Sequence, residues 1–209
     1  MNVHEINNPI VKHKLAQLRD KNTSSKDFRE LIEEMAILLF YEAGKNFSTR
    51  PVEIETPIKR CRAEILDETN FVIVPILRAG LSMANGVLKI LPGASIGHVG
   101  LQRDETTHLP IEYFFKMPPH FDEKILLVVD PMLATGGSAS AALTLLKNRG
   151  ARKIFFLCVI ASPQGIDKLS SEHPDVEIFT AKIDEGLNSS KYIIPGLGDA
   201  GDRIFATLQ

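Results

Sequence analysis

Hydrophobic and polar positions change rhythm twice along the chain. Phe28, Leu31, Ile32, Met35, Leu38 and Leu39 recur three, four and seven apart, which places them on one stripe of a helix. Ser24 or Ser25 suits its N-cap and Gly44 its stop. A shorter helix is expected before it, from Pro9 through Leu18, because proline is tolerated in a first helical turn. Val52, Ile54, Thr56 and Ile58 then alternate with polar residues, like a strand with one wet face. Pro57 confines that strand to an edge or an arm, and residues 50–68 read as an arm suited to subunit contact.

From Phe71 the apolar positions become continuous. FVIVPIL at 71–77 predicts a strand buried on both faces. Arg78-Ala79-Gly80 breaks it, and a helix is expected over 81–91. Strands follow at 96–101, running out at Arg103, and at 111–115, separated by the polar, turn-like 104–110, a candidate lid. Ile125–Val129 is a third long apolar strand, with a helix after it to Arg149 and a stop at Gly150. Ile154–Ala161 is another strand. Ser162-Pro163-Gln164-Gly165 reads as a turn, followed by a short helix to about His173 and a strand over 176–183. Continuous apolar strands alternating with helices predict an α/β fold: an open, mostly parallel twisted sheet with helices on both faces. Such sheets bind ligands at the carboxyl ends of their strands, where Arg78, Arg103 and Asp130 stand.

Composition narrows the field. Hydrophobic residues make up 44% and charged residues 24% of 209, with a formal net charge of -2. That is globular composition, with no bulk electrostatic case for nucleic acid or an anionic membrane. No apolar run approaches the ~20 residues of a membrane helix, and no signal-peptide pattern opens the sequence. The two cysteines, Cys61 and Cys158, suggest a reducing compartment, hence the cytoplasm. The six histidines show no metal-ligand spacing.

The chemistry concentrates at Asp130-Pro131-Met132-Leu133-Ala134-Thr135-Gly136-Gly137-Ser138. Glycines let a backbone approach an anion, hydroxyls add donors, and the helix start that follows presents unpaired N–H groups. Alone, the stretch reads equally as a phosphate cradle or as an N-capped helix after a tight turn. Asp130 would repel a phosphate, but it suits sugar hydroxyls that donate to it. A phosphorylated ribose satisfies both. Walker A is absent. Gly196-Leu197-Gly198-Asp199-Ala200-Gly201 matches G-x-G-x-x-G but lacks the preceding first strand and the acid ~20 residues later, so it reads as a loop whose backbone contacts something closely. Arg78 by itself reads as a solvated strand-end arginine, and Asp199 and Asp202 as turn formers.

Taken together, Val74-Pro75-Ile76-Leu77-Arg78-Ala79-Gly80, the 130–138 stretch and Tyr192-Ile193-Ile194-Pro195-Gly196-Leu197-Gly198-Asp199-Ala200-Gly201-Asp202 resemble the uracil phosphoribosyltransferase family, with similarity running from Val11-Lys12-His13-Lys14 nearly to the end. The resemblance implies a phosphoribosyltransferase-type fold over 1–209, with N-terminal helices and a C-terminal base-binding hood at 184–203. It implies that uracil and phosphoribosyl pyrophosphate (PRPP) give UMP and diphosphate. It assigns catalytic roles to Arg78, Arg103, Asp130 and Asp199, and PRPP binding to these and to Pro131, Met132, Leu133, Ala134, Thr135, Gly136, Gly137 and Ser138. Uracil would meet Ile193, Gly198, Asp199 and Ala200. Mg²⁺ would arrive largely through PRPP, GTP is an activator in parts of the family, and a homodimer or higher oligomer is implied. Two positions depart from the pattern: Gln102 stands where an aromatic residue is frequent, and Gln164 where glutamate is more usual. Pro131 replaces the second acid of many phosphoribosyltransferases, as in the uracil branch. A pyrimidine-responsive RNA-binding regulator, or a UMP sensor without turnover, is the alternative on the same fold; the net charge weighs against the first.

Overall fold

The computed structural model describes residues 2–103 and 110–207. Its main sheet is built from β1 (Val3–Glu5), β4 (Phe71–Leu77), β5 (Ser95–Ile96), β6 (His98–Arg103), β7 (Pro110–Lys116), β8 (Ile125–Val129), β9 (Met132–Leu133), β10 (Lys153–Ala161) and β11 (Glu177–Ile183). A hairpin of β2 (Arg50–Glu55) and β3 (Arg60–Ile65) forms a separate two-stranded sheet, as do β12 (Gly186–Leu187) and β13 (Ile193–Ile194). The helices are α1 (Pro9–Arg19), α2 (Ser25–Ala43), α3 (Gly80–Leu88), α4 (Gly137–Asn148), α5 (Pro163–Glu172) and α6 (Ala200–Phe205).

The main path runs β1-β11-β10-β8-β4-β6-β7, with β5 beside β4 and β9 beside β10. Every pairing in it is parallel except β6 with β7. The continuous apolar strands follow from burial on both sides. Phe71, Ile73, Leu127, Val129, Phe155 and Leu157 point to one core with α1, α2, α3 and α6. Val72, Val74, Leu126, Val128, Phe156 and Cys158 point to the other, with α4 and α5. The α/β expectation therefore holds, with helices on both faces.

Register sets the site. Pro75 pairs with Val129, and Val129 with Leu157, so Arg78 and Asp130 leave the sheet at one edge.

Local expectations are corrected at several places. The 52–58 strand ends at Glu55; Thr56 closes a turn by accepting from the N–H groups of Ile58 and Lys59, and the chain returns as β3. The helix expected over 81–91 stops at Leu88. Ser162 is the N-cap of α5 rather than part of a free turn. The 196–201 loop gives way at Ala200 to α6, N-capped by Asp199. Of the candidate lid at 104–110, residues 104–109 lie outside the described residues and Pro110 opens β7.

Candidate active site

The 130–138 stretch is less a loop than an extension of the sheet. The Asp130 N–H donates to the Leu157 carbonyl at 3.2 Å, and Met132 and Leu133 pair with Ile160 and Ala161. The Pro131 carbonyl accepts from the N–H of Val159 at 3.0 Å. After Ala134 the chain turns through Gly136 at φ +75°, a left-handed conformation that glycine adopts without steric penalty. A Cβ there would also sit 3.1 Å from the Gly165 carbonyl oxygen. Thr135 Oγ1 accepts from the Gly137 N–H at 3.4 Å, and Ser138 is exposed at the start of α4. The first-turn N–H groups of a helix have no partner within it and sit at its positive end. Gly136, Gly137 and Ser138 thus form a concave, donor-rich rim suited to a phosphate.

This rim is braced from below by α5, a support that sequence reading missed. Ser162 Oγ donates to the Ala134 carbonyl at 2.6 Å and accepts from the Gly165 N–H at 3.0 Å. Gly165 lies so close that a Cβ would fall 2.5 Å from the Ala134 oxygen and 2.6 Å from the Leu133 oxygen. The Gln164 amide rests near Gly186, at the root of the hood.

Asp130 is half-buried, open in part to the cleft. Loss of water around its carboxyl pushes its pKa up to about 7. The Met132 N–H opposes this weakly from 3.4 Å, while the charge of Asp199 adds to the rise. The acid at the strand end thus feels the charge of the acid in the 196–201 motif, far from it in sequence.

Arg78 is exposed at the end of β4, with its guanidinium 5.4 Å from the centre of the Phe205 ring. Gly80 lets α3 start against the sheet: a Cβ there would meet the Val129 carbonyl oxygen at 2.4 Å. Arg103 ends β6, and its side chain lies outside the described structure. Gln102 is exposed on the same strand.

The hood is assembled from short pieces. β12 and β13 contribute two residue pairs. Asn188 Oδ1 accepts from the N–H groups of Ser190 and Tyr192 at 3.0 and 2.9 Å, closing the turn between them. Gly196 and Gly198 take φ of +62° and +78°. Asp199 accepts from the Asp202 N–H at 2.9 Å, capping α6. Ile193 and Ala200 are buried, whereas Gly198 is exposed.

Three arginines hold these pieces. Arg19 forms a bidentate pair with the buried Asp184, at 2.9 and 2.5 Å, and donates to the Gly196 carbonyl at 2.7 Å. Asp184 Oδ2 also accepts from the Gly196 N–H at 3.0 Å. Arg203 stacks on Phe28 at 4.2 Å and donates to the carbonyls of Leu18, Asp20 and Leu197. Arg29 caps the Ile204 carbonyl at 2.7 Å. None has a local sequence signal, since each partner lies on another element.

An acid at a strand end, a glycine turn at a helix start and a separate hood on a mostly parallel sheet define the phosphoribosyltransferase class. The solved adenine phosphoribosyltransferase of Trypanosoma brucei shares the fold at a TM-score of 0.57, with 11% identity over 88% of this chain and 84% of its own. A structure from Aquifex aeolicus superimposes at a TM-score of 0.92, with 39% identity and 98% of both chains covered.

Within that class, the family model for uracil phosphoribosyltransferase matches residues 5–207. Curated uracil phosphoribosyltransferases of Dictyoglomus thermophilum and Clostridium perfringens are each 54% identical, covering 97% and 98% of this chain and 98% of their own. The chain belongs to the uracil phosphoribosyltransferase family.

Proposed function

We propose that this protein transfers the phosphoribosyl group of PRPP to uracil, giving UMP and diphosphate, as the names of its relatives describe. The observation that carries the reading is Asp130 at the end of β8, followed at once by the left-handed turn at Gly136 and the start of α4. It sets an acid suited to sugar hydroxyls beside a site suited to phosphate. The C1–O bond to diphosphate breaks, the bond from C1 to uracil N1 forms, and the N1 proton is released.

In this reading residues 131–138 hold the 5-phosphate end, and Asp130 accepts from ribose hydroxyls. Those hydroxyls favour the ionised carboxylate, so binding offsets the burial that protonates it. Arg78 and Arg103 are assigned to the leaving diphosphate; a well-placed guanidinium there stabilises growing negative charge by roughly 3 kcal/mol. Backbone groups at Ile193, Gly198, Asp199 and Ala200 match the amide-like edges of uracil without charged side chains. A base with the wrong edge leaves buried groups unpaired.

Among the described residues no three acidic, histidine or cysteine side chains converge as metal ligands. The carboxylates of Asp130 and Asp199 are hard oxygen donors of the type that would suit Mg²⁺ carried in on the substrate. When bound, Mg²⁺ supplies charge neutralisation at the diphosphate.

The whole chain, 1–209, acts as one phosphoribosyltransferase domain with residues 184–203 as its hood. The arm at 50–68 serves self-association: Ile58 at its tip is 93% exposed and Ile54 43%. No described helix is long and apolar enough to cross a membrane, and both cysteines are free, which supports a cytoplasmic setting.

The test is conversion of labelled uracil to UMP with PRPP and Mg²⁺, with and without GTP, beside cytosine, hypoxanthine and orotate. Turnover confined to uracil is expected. Folded protein that binds UMP but turns over no base overturns the reading in favour of a sensor or an RNA-binding regulator. Sedimentation of the wild type and of Ile58→Asp tests the arm; identical mass distributions would remove its role.

A further inference from the structure

His173 is buried just past α5 and has no part in the chemistry above. Its Nε2 lies 3.2 Å from the Ser140 carbonyl oxygen, 3.2 Å from Ser140 Oγ and 3.5 Å from Thr144 Oγ1, all on α4. Its Nδ1 is buried with no hydrogen-bond partner. A carbonyl only accepts, so Nε2 carries the proton and Nδ1 is left as a bare acceptor in the interior. An unpaired buried acceptor costs stability that a leucine would not. Ser140 Oγ in turn donates to Glu172, which is paired with Lys168. Lys147 and Asp175 form a neighbouring pair.

Ser140 is in the first turn of α4, and its N–H donates to the Gly136 carbonyl at 2.8 Å. The far end of α5 braces the same rim through Ser162 and Gly165. The strut therefore grips the phosphate rim at both ends: at Ala134 before the turn and at Ser140 after it.

We propose that His173 is a positioning residue for the 5-phosphate cradle. By donating to the Ser140 carbonyl it holds the first turn of α4 in register with residues 134–137. The inference rests on the reading that this cradle takes ribose 5-phosphate.

The experiment compares His173→Leu and His173→Gln with wild type by steady-state kinetics, calorimetric titration of ribose 5-phosphate and thermal unfolding. In His173→Leu, KM for PRPP and Kd for ribose 5-phosphate rise about tenfold, as expected for a misplaced binding group. KM for uracil and the unfolding temperature stay level or improve. In His173→Gln the side-chain amide donates to Ser140 again and most of the affinity returns. Wild-type affinity in His173→Leu overturns the proposal, as does a glutamine variant as impaired as the leucine one, or a loss that tracks a lowered unfolding temperature. Wild-type protein that fails to bind ribose 5-phosphate removes the reading of the cradle, and this inference with it. If wild type binds ribose 5-phosphate but does not turn over uracil, only the base-transfer reading falls, and the loss of binding in His173→Leu still supports the positioning role.

Discussion

The phosphate rim and the hood are built by opposite means. The rim grows out of the sheet: Met132 and Leu133 still pair with β10, and α5 supports it from the next connection. The hood has one short strand pair and a six-residue helix, held by side chains from α1 and α2 more than 160 positions away in sequence. Local, backbone-made support suits a phosphate, which any well-placed N–H can bind. Remote, side-chain-made support suits a base site, whose shape must be exact yet carries little secondary structure of its own. The two halves should therefore fail differently.

The largest expected effect is at the acid beside the rim. Asp130→Asn should lower turnover with uracil by about 100-fold or more, since it removes a charge the transition state uses. It should not destabilise the free protein. The folded pKa of Asp130, about 7, is above the ordinary aspartate value of 3.8. Its contribution to stability is therefore full below about pH 4 and is lost as pH rises through 7. At pH 8 the ionised buried acid costs roughly 2–4 kcal/mol, which Asn avoids. Urea unfolding at pH 5 and pH 8 checks the sign: the wild type should lose more stability across that interval than the variant.

Arg19→Leu should break the hood alone. It leaves Asp184, whose side chain is only 2% exposed, without its partner, at a cost of about 3 kcal/mol. KM for uracil should rise while affinity for ribose 5-phosphate holds. Equal loss of both would show that the two halves are not independent. Gly165→Ala is the mirror experiment. Its Cβ would strike the Ala134 and Leu133 oxygens, so the rim must shift, and KM for PRPP should rise about tenfold with uracil affinity intact. Phe205→Leu should have the smallest effect. Removing the ring beside Arg78 forfeits about 0.5–1 kcal/mol of cation–π attraction, seen as a roughly two- to fivefold weaker diphosphate inhibition constant.

The same contrast decides what the sequence revealed. The sheet strands were legible because burial on both faces writes unbroken apolar runs at 71–77, 125–129 and 154–161. The rim was legible because Asp130, Thr135 and the paired glycines must sit together in the chain to work. β3 was passed over, since Arg60, Arg62 and Glu64 alternate with Cys61, Ala63 and Ile65, small or exposed residues whose apolar face is weak. α6 was hidden by Gly198 and Gly201, which read as turn formers, although Asp199 three residues before Asp202 is a sound N-cap signal. Arg19, Arg29 and Arg203 could not be found, because nothing near them marks the distant carbonyls and carboxylate they hold.

The Arg19–Asp184 clasp has a consequence for synthesis. A ribosome makes α1 and α2 well before residues 184–205, so the guanidiniums of Arg19 and Arg29 wait, unpaired, while β4, β8 and β10, with α4 and α5, emerge between them. A nascent chain can therefore close its glycine-rich rim before the segment those arginines hold exists, and the hood docks onto a sheet already formed.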